Sequence, residues 1–294
     1  MKKIAIVTDS VSDIHSSLVK KYDIKVVPLY LNFDGQSLKE GLEIDVEEVY
    51  SKLKSGKIIK SATPTIEDFT VVYKDLLDEQ GFESIYSIHL SSLLSGTINA
   101  AISASSRFPE GSIKIIDTKM AAIAEGFFVI EVAKAIRVGA DEESINKLIG
   151  MLSKSISFYA TFENFEYIVR GGRAPFLSRF AGKASLLKPI IAFNQEGKLS
   201  LKKFCFNKKS SINWLYHLVR KDILNSSNNR NRIGICYGND KGPALELENM
   251  VKNDPDLDIE EIIMTKMTAI MGAHTGPGIW GISACPVFDI KKLR

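Results

Sequence analysis

Three short segments place hydroxyls and carboxylates just where apolar runs end. They are Thr8-Asp9-Ser10, Ser91-Ser92-Leu93-Leu94-Ser95-Gly96-Thr97 and Asp117-Thr118. The runs before them, 3–8, 84–90 and 113–117, read as buried strands. In an open α/β sheet, ligands bind outside the carboxyl ends of the strands. A hydroxyl-rich loop that opens a helix also offers free backbone N–H groups and the positive end of the helix dipole, which together favour an anion. Ser95 and the Gly96 N–H are the best candidates to hold one, with Gly96 allowing close backbone approach. Ser10 and Ser95 fit ordinary helix N-caps as well. The pattern alone leaves both readings open.

A second candidate is His274, in His274-Thr275-Gly276-Pro277-Gly278. Two glycines and a proline predict a rigid, non-repetitive loop. Such a loop can hold an imidazole toward a ligand, and a lone histidine is as readily a structural hydrogen-bonding residue. His15, His89 and His217 share no ligand spacing with it, so no metal site is expected. A third candidate opens at Arg170-Gly171-Gly172-Arg173. Residues 167–195 contain no acidic side chain, while Arg170, Arg173, Arg179, Lys183 and Lys188 are basic and alternate with Phe176, Leu177, Phe180, Leu186 and Leu187. That suits a membrane surface or an anionic partner, and equally a solvated face over core leucines.

Several chemistries are excluded. Gly182-Lys183 lacks the upstream glycine and following Ser/Thr of a P-loop. There is no GxSxG nucleophile elbow, and no GxGxxG follows the first strand. The chain has 294 residues, with 38 Lys plus Arg against 35 Asp plus Glu, a formal charge of only +3. That balance gives no whole-molecule case for nucleic-acid binding. Cys205, Cys236 and Cys285 are far apart and form no metal or CxxC spacing, so they read as reduced, buried residues of a cytoplasmic protein. The apolar run 4–7 is too short for a secretory leader. Even 121–136 carries Glu125 and Glu131, so no membrane span is expected.

The elements that position these residues alternate in the first half. Strands are expected at 3–8, 25–31, 84–90 and 113–117. Helices are expected at 12–22, 45–53, 65–78, 95–107 and 121–138, the third capped at Thr65 with Asp68 three residues on. This rhythm predicts an α/β domain over 1–155 with a mostly parallel sheet and flanking helices. Asp141 to Lys154 reads as a helix linking the halves. The second half, 156–294, predicts an α/β domain with a mixed sheet: strands at 157–162, 188–193, 199–205, 232–237, 258–264 and 279–287, and helices at 210–224 and 242–252. The ligand site is expected between the two domains.

Taken in order, these motifs resemble the DegV family of fatty-acid-binding proteins. The matching residues are Thr8-Asp9-Ser10, Ser61-Ala62-Thr63-Pro64-Thr65, Leu94-Ser95-Gly96-Thr97, Asp117-Thr118, Arg170-Gly171-Gly172-Arg173 and His274-Thr275-Gly276-Pro277-Gly278, spanning about 3–288. Lys119-Met120-Ala121 departs from the small polar residue and glycine the family often has there, and Lys266-Met267-Thr268 replaces its usual acidic, glycine-containing lead-in to the histidine loop.

The resemblance implies a long-chain fatty acid in an apolar tunnel between the domains. It implies that the chain is the non-catalytic carrier subunit of a bacterial fatty acid kinase, serving phospholipid metabolism. A separate kinase subunit would bring ATP and magnesium and form an acyl phosphate on the carried carboxylate; this chain would hold no cofactor or metal. Thr63, Ser95, Gly96 and His274 would bind the carboxylate. Asp9, Ser10, Thr97 and Asp117 would support them, and Arg170 and Arg173 would face the partner, a phosphate or the membrane. About fifteen methylenes at about 0.8 kcal/mol each give about 12 kcal/mol before ordering costs, enough for tight binding with no reactive side chain. The alternatives are a lipid-binding regulatory module without a kinase, a dihydroxyacetone-kinase-like subunit for a small polar substrate, and a hydrolase using Ser95 and His274.

Overall fold

The computed structural model describes residues 3–226 and 230–293. Met1, Lys2, residues 227–229 and Arg294 lie outside them. The first half runs β1 (Ile4–Asp9), a 3-10 turn (Ser10–Ser12), α1 (Ser16–Tyr22), β2 (Ile24–Val27), β3 (Tyr30–Phe33), β4 (Gln36–Lys39), α2 (Val46–Lys54), β5 (Lys60–Ala62), α3 (Ile66–Lys74), β6 (Ser84–His89), α4 (Thr97–Ser105), β7 (Ile113–Asp117), α5 (Ala122–Arg137) and α6 (Glu142–Ser155). The second half runs β8 (Ser157–Phe162), α7 (Glu166–Arg170), a 3-10 segment (Pro175–Lys183), β9 (Lys188–Phe193), β10 (Leu199–Cys205), α8 (Lys208–Asn225), β11 (Arg230–Tyr237), α9 (Gly242–Lys252), β12 (Asp258–Lys266), α10 (Ala269–Thr275) and β13 (Ile279–Pro286). The cap expected at Thr65 forms as a capping box with Asp68, and Asp45, Asp141 and Asn207 each accept from the N–H three residues on.

The fold is α/β, with one parallel and one mixed sheet. β2-β1-β6-β7 is parallel throughout, with Ile6 opposite Ile24 and His89 opposite Asp117. The mixed sheet has the order β10-β9-β8-β13-β11-β12, and only its β11–β12 pair is parallel. β13, near the end of the chain, lies in its middle. Between the sheets runs α5. It is buried along almost its whole length and packs on β1, β11 and β13, so it is apolar all round rather than on one stripe. A single apolar cluster passes from Ile6 and Tyr86 through α5 to Phe162 and Ile279.

A third, antiparallel sheet, β4-β3-β5, is not among the expected elements. Its hairpin turns at Asp34-Gly35, both at positive φ (50° and 76°), a pairing typical of two-residue hairpins. The single strand expected over 25–31 is two strands in two sheets, because Pro28 between them has no N–H to donate. The helix expected from residue 12 begins at Ser16, after Asp13 turns left-handed (φ 50°). The loop expected around His274 is instead the last turn of α10, ended by Gly276 at φ 76°. Among the described residues no helix is long and apolar enough to cross a membrane. The three cysteines are free and buried.

Candidate functional site

The carboxyl ends of β1, β6 and β7 face the inner surface of the mixed sheet across a cavity of about 660 Å³, mouth included. Val11, Leu90, Leu94 and Ala121 line it from the strand ends. Phe158, Ala160 and Phe162 line it from alternate positions of β8, the period-2 face of one strand. α10 covers it with Ile270, Met271, His274 and Thr275. The other polar lining residues are Ser61, Ser95 and Arg173.

These polar groups are tied together. Ser61 Oγ lies 2.6 Å from His274 Nε2. Arg173 Nε donates to the Leu94 carbonyl (3.2 Å), next to Ser95, and its Nη1 donates to the Gly171 carbonyl (2.6 Å). Ser95 Oγ accepts from the Thr97 N–H (3.3 Å) and lies 2.9 Å from Thr97 Oγ1. Burial, with the Arg173 charge adding to it, pushes His274 down to about 4, so the imidazole is neutral at pH 7. Two glycines allow the arrangement. A Cβ on Gly171 would stand 2.8 Å from His274 Nδ1, and one on Gly276 would stand 2.4 Å from the Tyr167 ring. The Arg-Gly-Gly-Arg and His-Thr-Gly-Pro-Gly motifs are thus two sides of one packed contact.

Of the residues singled out from sequence, Ser95 and His274 line the cavity. Thr63 does not, and Ser61, two residues earlier in the same motif, is the hydroxyl on His274. The methyl of Thr63 instead stands beside exposed Gly96, 3.6 Å from where a Cβ there would be. Thr97 is buried under Ser95. Asp117 accepts from Ser92 Oγ (2.6 Å) and the Lys119 N–H (2.8 Å), so it ties down the base of the Ser91–Thr97 loop. Asp9 is fully buried, accepting from the Val11 and Leu90 N–H groups and lying 3.0 Å from His89 Nδ1. Ser10 donates to Glu40, whose other oxygen accepts from the Ile270 N–H of α10 (2.6 Å). Asp13 accepts from the Thr268 N–H (2.9 Å). Glu40 and Asp13, absent from the sequence reading, therefore hold the N-terminus of the helix that carries His274. Burial pushes Glu40 up to about 7 and Asp13 up to about 8, and burial together with the nearby Asp9 and Asp13 holds Glu125 well above the carboxylate range.

Beyond Ser61, Arg173 and His274 opens a second, more polar cavity of about 740 Å³, lined also by Lys57, Lys60 and Arg170. Arg170 stands at this vestibule, paired with Glu166 at 2.9 Å. Arg173, expected at the mouth, is half-buried in the wall shared by both cavities. In the basic stretch Leu177 is buried, and Phe176, Phe180 and Leu187 pack on the core; Leu186 is 66% exposed. Among the described residues no group of three or more His, Cys, Asp or Glu is placed to hold a metal ion.

The family model described as "Uncharacterised protein, DegV family" matches residues 3–287. The chain belongs to the DegV family. A DegV domain-containing protein of Caldanaerobacter subterraneus subsp. tengcongensis is 30% identical over 282 residues, 96% of this chain and 98% of that one. Among solved structures, a DegV family protein of Thermus thermophilus described by its fatty acid binding is 27% identical, with a TM-score of 0.90 over 97% of this chain and all of that one. DegV of Bacillus subtilis, described as a fatty acid binding protein, is 25% identical, with a TM-score of 0.84 over 98% of this chain and all of that one.

Proposed function

We propose that this chain binds a long-chain fatty acid in the apolar cavity and presents its carboxylate to a separate kinase subunit. The observation that carries this reading is the segregation of the lining: Ser61, Ser95, Arg173, His274 and Thr275 are polar, and the remaining walls are apolar. Three of the five, Ser61, Arg173 and His274, also border the polar vestibule, and Ser95 adjoins the Leu94 carbonyl that Arg173 holds, so these four are the head-group partners in this reading. A buried carboxylate costs several kcal/mol unless hydrogen-bonded. In this reading Ser95 and the Ser61–His274 pair supply those bonds, Arg173 adds the charge, and Thr63 and Gly96 flank Ser95. The domain boundary falls at 155/156, so the acid lies between the halves.

The basic vestibule supports the second part of the reading. Lys57, Lys60, Arg170 and Arg173 line a space that meets the polar end, and their positive charge suits a phosphoryl group. The kinase would dock over it, bringing ATP and magnesium. Leu186, exposed near Arg179 and Lys183, suits a transient membrane contact during loading. An apolar wall argues against a small polar substrate. A hydrolase is disfavoured because His274 Nε2 is engaged by Ser61 rather than Ser95.

The deciding experiment is mass spectrometry of small molecules released from the purified, denatured protein. A stoichiometric long-chain fatty acid is expected; no lipid, together with no uptake of added acid, overturns the reading. Incubation of the loaded protein with a fatty acid kinase subunit, ATP and magnesium then separates carrier from regulatory module. Acyl phosphate that falls at least about tenfold in Arg173→Ala supports the carrier, and none from the wild type leaves a lipid-binding module.

A further inference from the structure

The acyl cavity shares walls with two other spaces. It shares Ser61, Arg173 and His274 with the basic vestibule, and it shares Phe158 and Phe193 with an outer groove of about 1080 Å³. No described residue lines both the vestibule and the groove. The three spaces therefore follow one another: vestibule, apolar cavity, groove. The head-group residues Ser61, Arg173 and His274 border the vestibule, and the two phenylalanines border the groove.

Phe158 and Phe193 are the partition. Phe158 points inward from β8, and Phe193 ends β9. Their ring centroids are 5.6 Å apart and the planes are tilted by 33°. Behind Phe193 the chain turns through 194–197 and docks on the first half, where Ser91 Oγ donates to the Gly197 carbonyl at 2.7 Å. The end wall is thus fixed from both halves. The groove beyond is polar and basic, with Lys119, Lys154, Lys202, Asn194 and Gln195 along it. A methyl terminus that passed the rings would leave apolar surroundings for water and charge, and would gain nothing from burial.

We propose that Phe158 and Phe193 are the end stop of the acyl site and set the longest chain the protein holds. This rests on the acyl reading above. Up to the stop, each added methylene tightens binding about fourfold, the equivalent of about 0.8 kcal/mol. Beyond it, affinity stops rising, because a longer chain must displace the rings or buckle.

The test is a binding series of saturated fatty acids of increasing length, on the delipidated wild type, Phe193→Ala and Phe158→Leu. Phe193 is only half-buried, so its truncation is the milder change, and a thermal melt confirms each fold. The expected result is a wild-type limit that moves outward by about two methylenes in either variant, with short chains bound as before. Ser95→Ala is expected to weaken every length by a similar factor and to leave the limit in place. A wild-type limit unchanged in a folded Phe193→Ala overturns the end stop alone. A wild type that takes up no acid at any length overturns the acyl reading and the end stop with it.

Discussion

His274 sits in the cavity wall as a neutral imidazole, held down from 6.5 to about 4 by burial, with the Arg173 charge adding. Between those values the unfolded chain takes up a proton that the folded chain refuses. Folded-state stability therefore falls by about 1.4 kcal/mol per pH unit as the pH drops through this window. His274→Gln keeps a polar partner for Ser61 and removes the titration, so its urea midpoints should fall less steeply between pH 6.5 and 4.5. A slope equal to that of the wild type would contradict a buried neutral histidine. A second single-residue prediction concerns Lys119, which stands at φ 58° in the segment where the family resemblance leads one to expect glycine. The left-handed region strains a residue with a Cβ, so Lys119→Gly should gain about 1 kcal/mol in chemical denaturation. At this scale part of the cavity lining was legible: Ser95, Arg173 and His274 stood out by their motifs. Thr63 stood out where Ser61 does the bonding, because a three-residue strand gives no periodicity from which to choose between hydroxyls two apart.

At the scale of elements, α10 is the part on which the site depends and the part the sequence hid. It is seven residues long with Gly272 inside it, too short and too interrupted for a 3.6-residue pattern to appear. Proline and glycine signals around His274 read as a loop, and the helix is imposed by contacts distant in sequence. Asp13 and Glu40 accept the Thr268 and Ile270 N–H groups at one end, and Ser61 meets His274 at the other. Bringing those carboxylates together in the interior leaves their proton affinity raised, Glu40 from 4.5 to about 7, with burial as the main cause. The stability linked to Glu40 is then fully present below pH 4.5 and is lost as pH rises to about 7, the opposite direction to His274. Glu40→Gln can still accept from Ile270, so it should flatten the decline in stability between pH 5 and 7.5 by up to about 1.4 kcal/mol per pH unit. Stability curves for Glu40→Gln and His274→Gln recorded across the same range separate the two contributions, and coincidence of the Glu40→Gln curve with the wild type would show that Glu40 titrates normally. The break of 25–31 at Pro28 and the Asp34-Gly35 hairpin had local signals in the sequence. They decide which sheet each strand joins, and that assignment depends on partners the local pattern does not name.

For the whole molecule, the alternation of strands and helices was enough to foresee a parallel sheet followed by a mixed one. The middle position of β13 and the burial of α5 on all sides follow instead from packing between distant segments. α5 carries the charge that this packing must satisfy. Glu131 is buried and accepts from Arg232 Nη1 of β11 at 2.7 Å and from Lys134 at 2.9 Å, while Arg232 also pairs with Glu260 of β12. The group joins the helix between the sheets to the mixed sheet behind it. Removing one member of a buried pair leaves the other charge in low-dielectric surroundings, which costs more than the pair itself contributes. Arg232→Met should therefore destabilise the protein by about 3 kcal/mol in urea, partly relieved by Lys134. Adding Glu131→Gln removes the stranded charge and should recover about 1–2 kcal/mol of that loss. If the two substitutions are simply additive, Glu131 and Arg232 are not energetically coupled, and the hold of α5 on the mixed sheet rests on its apolar contacts alone.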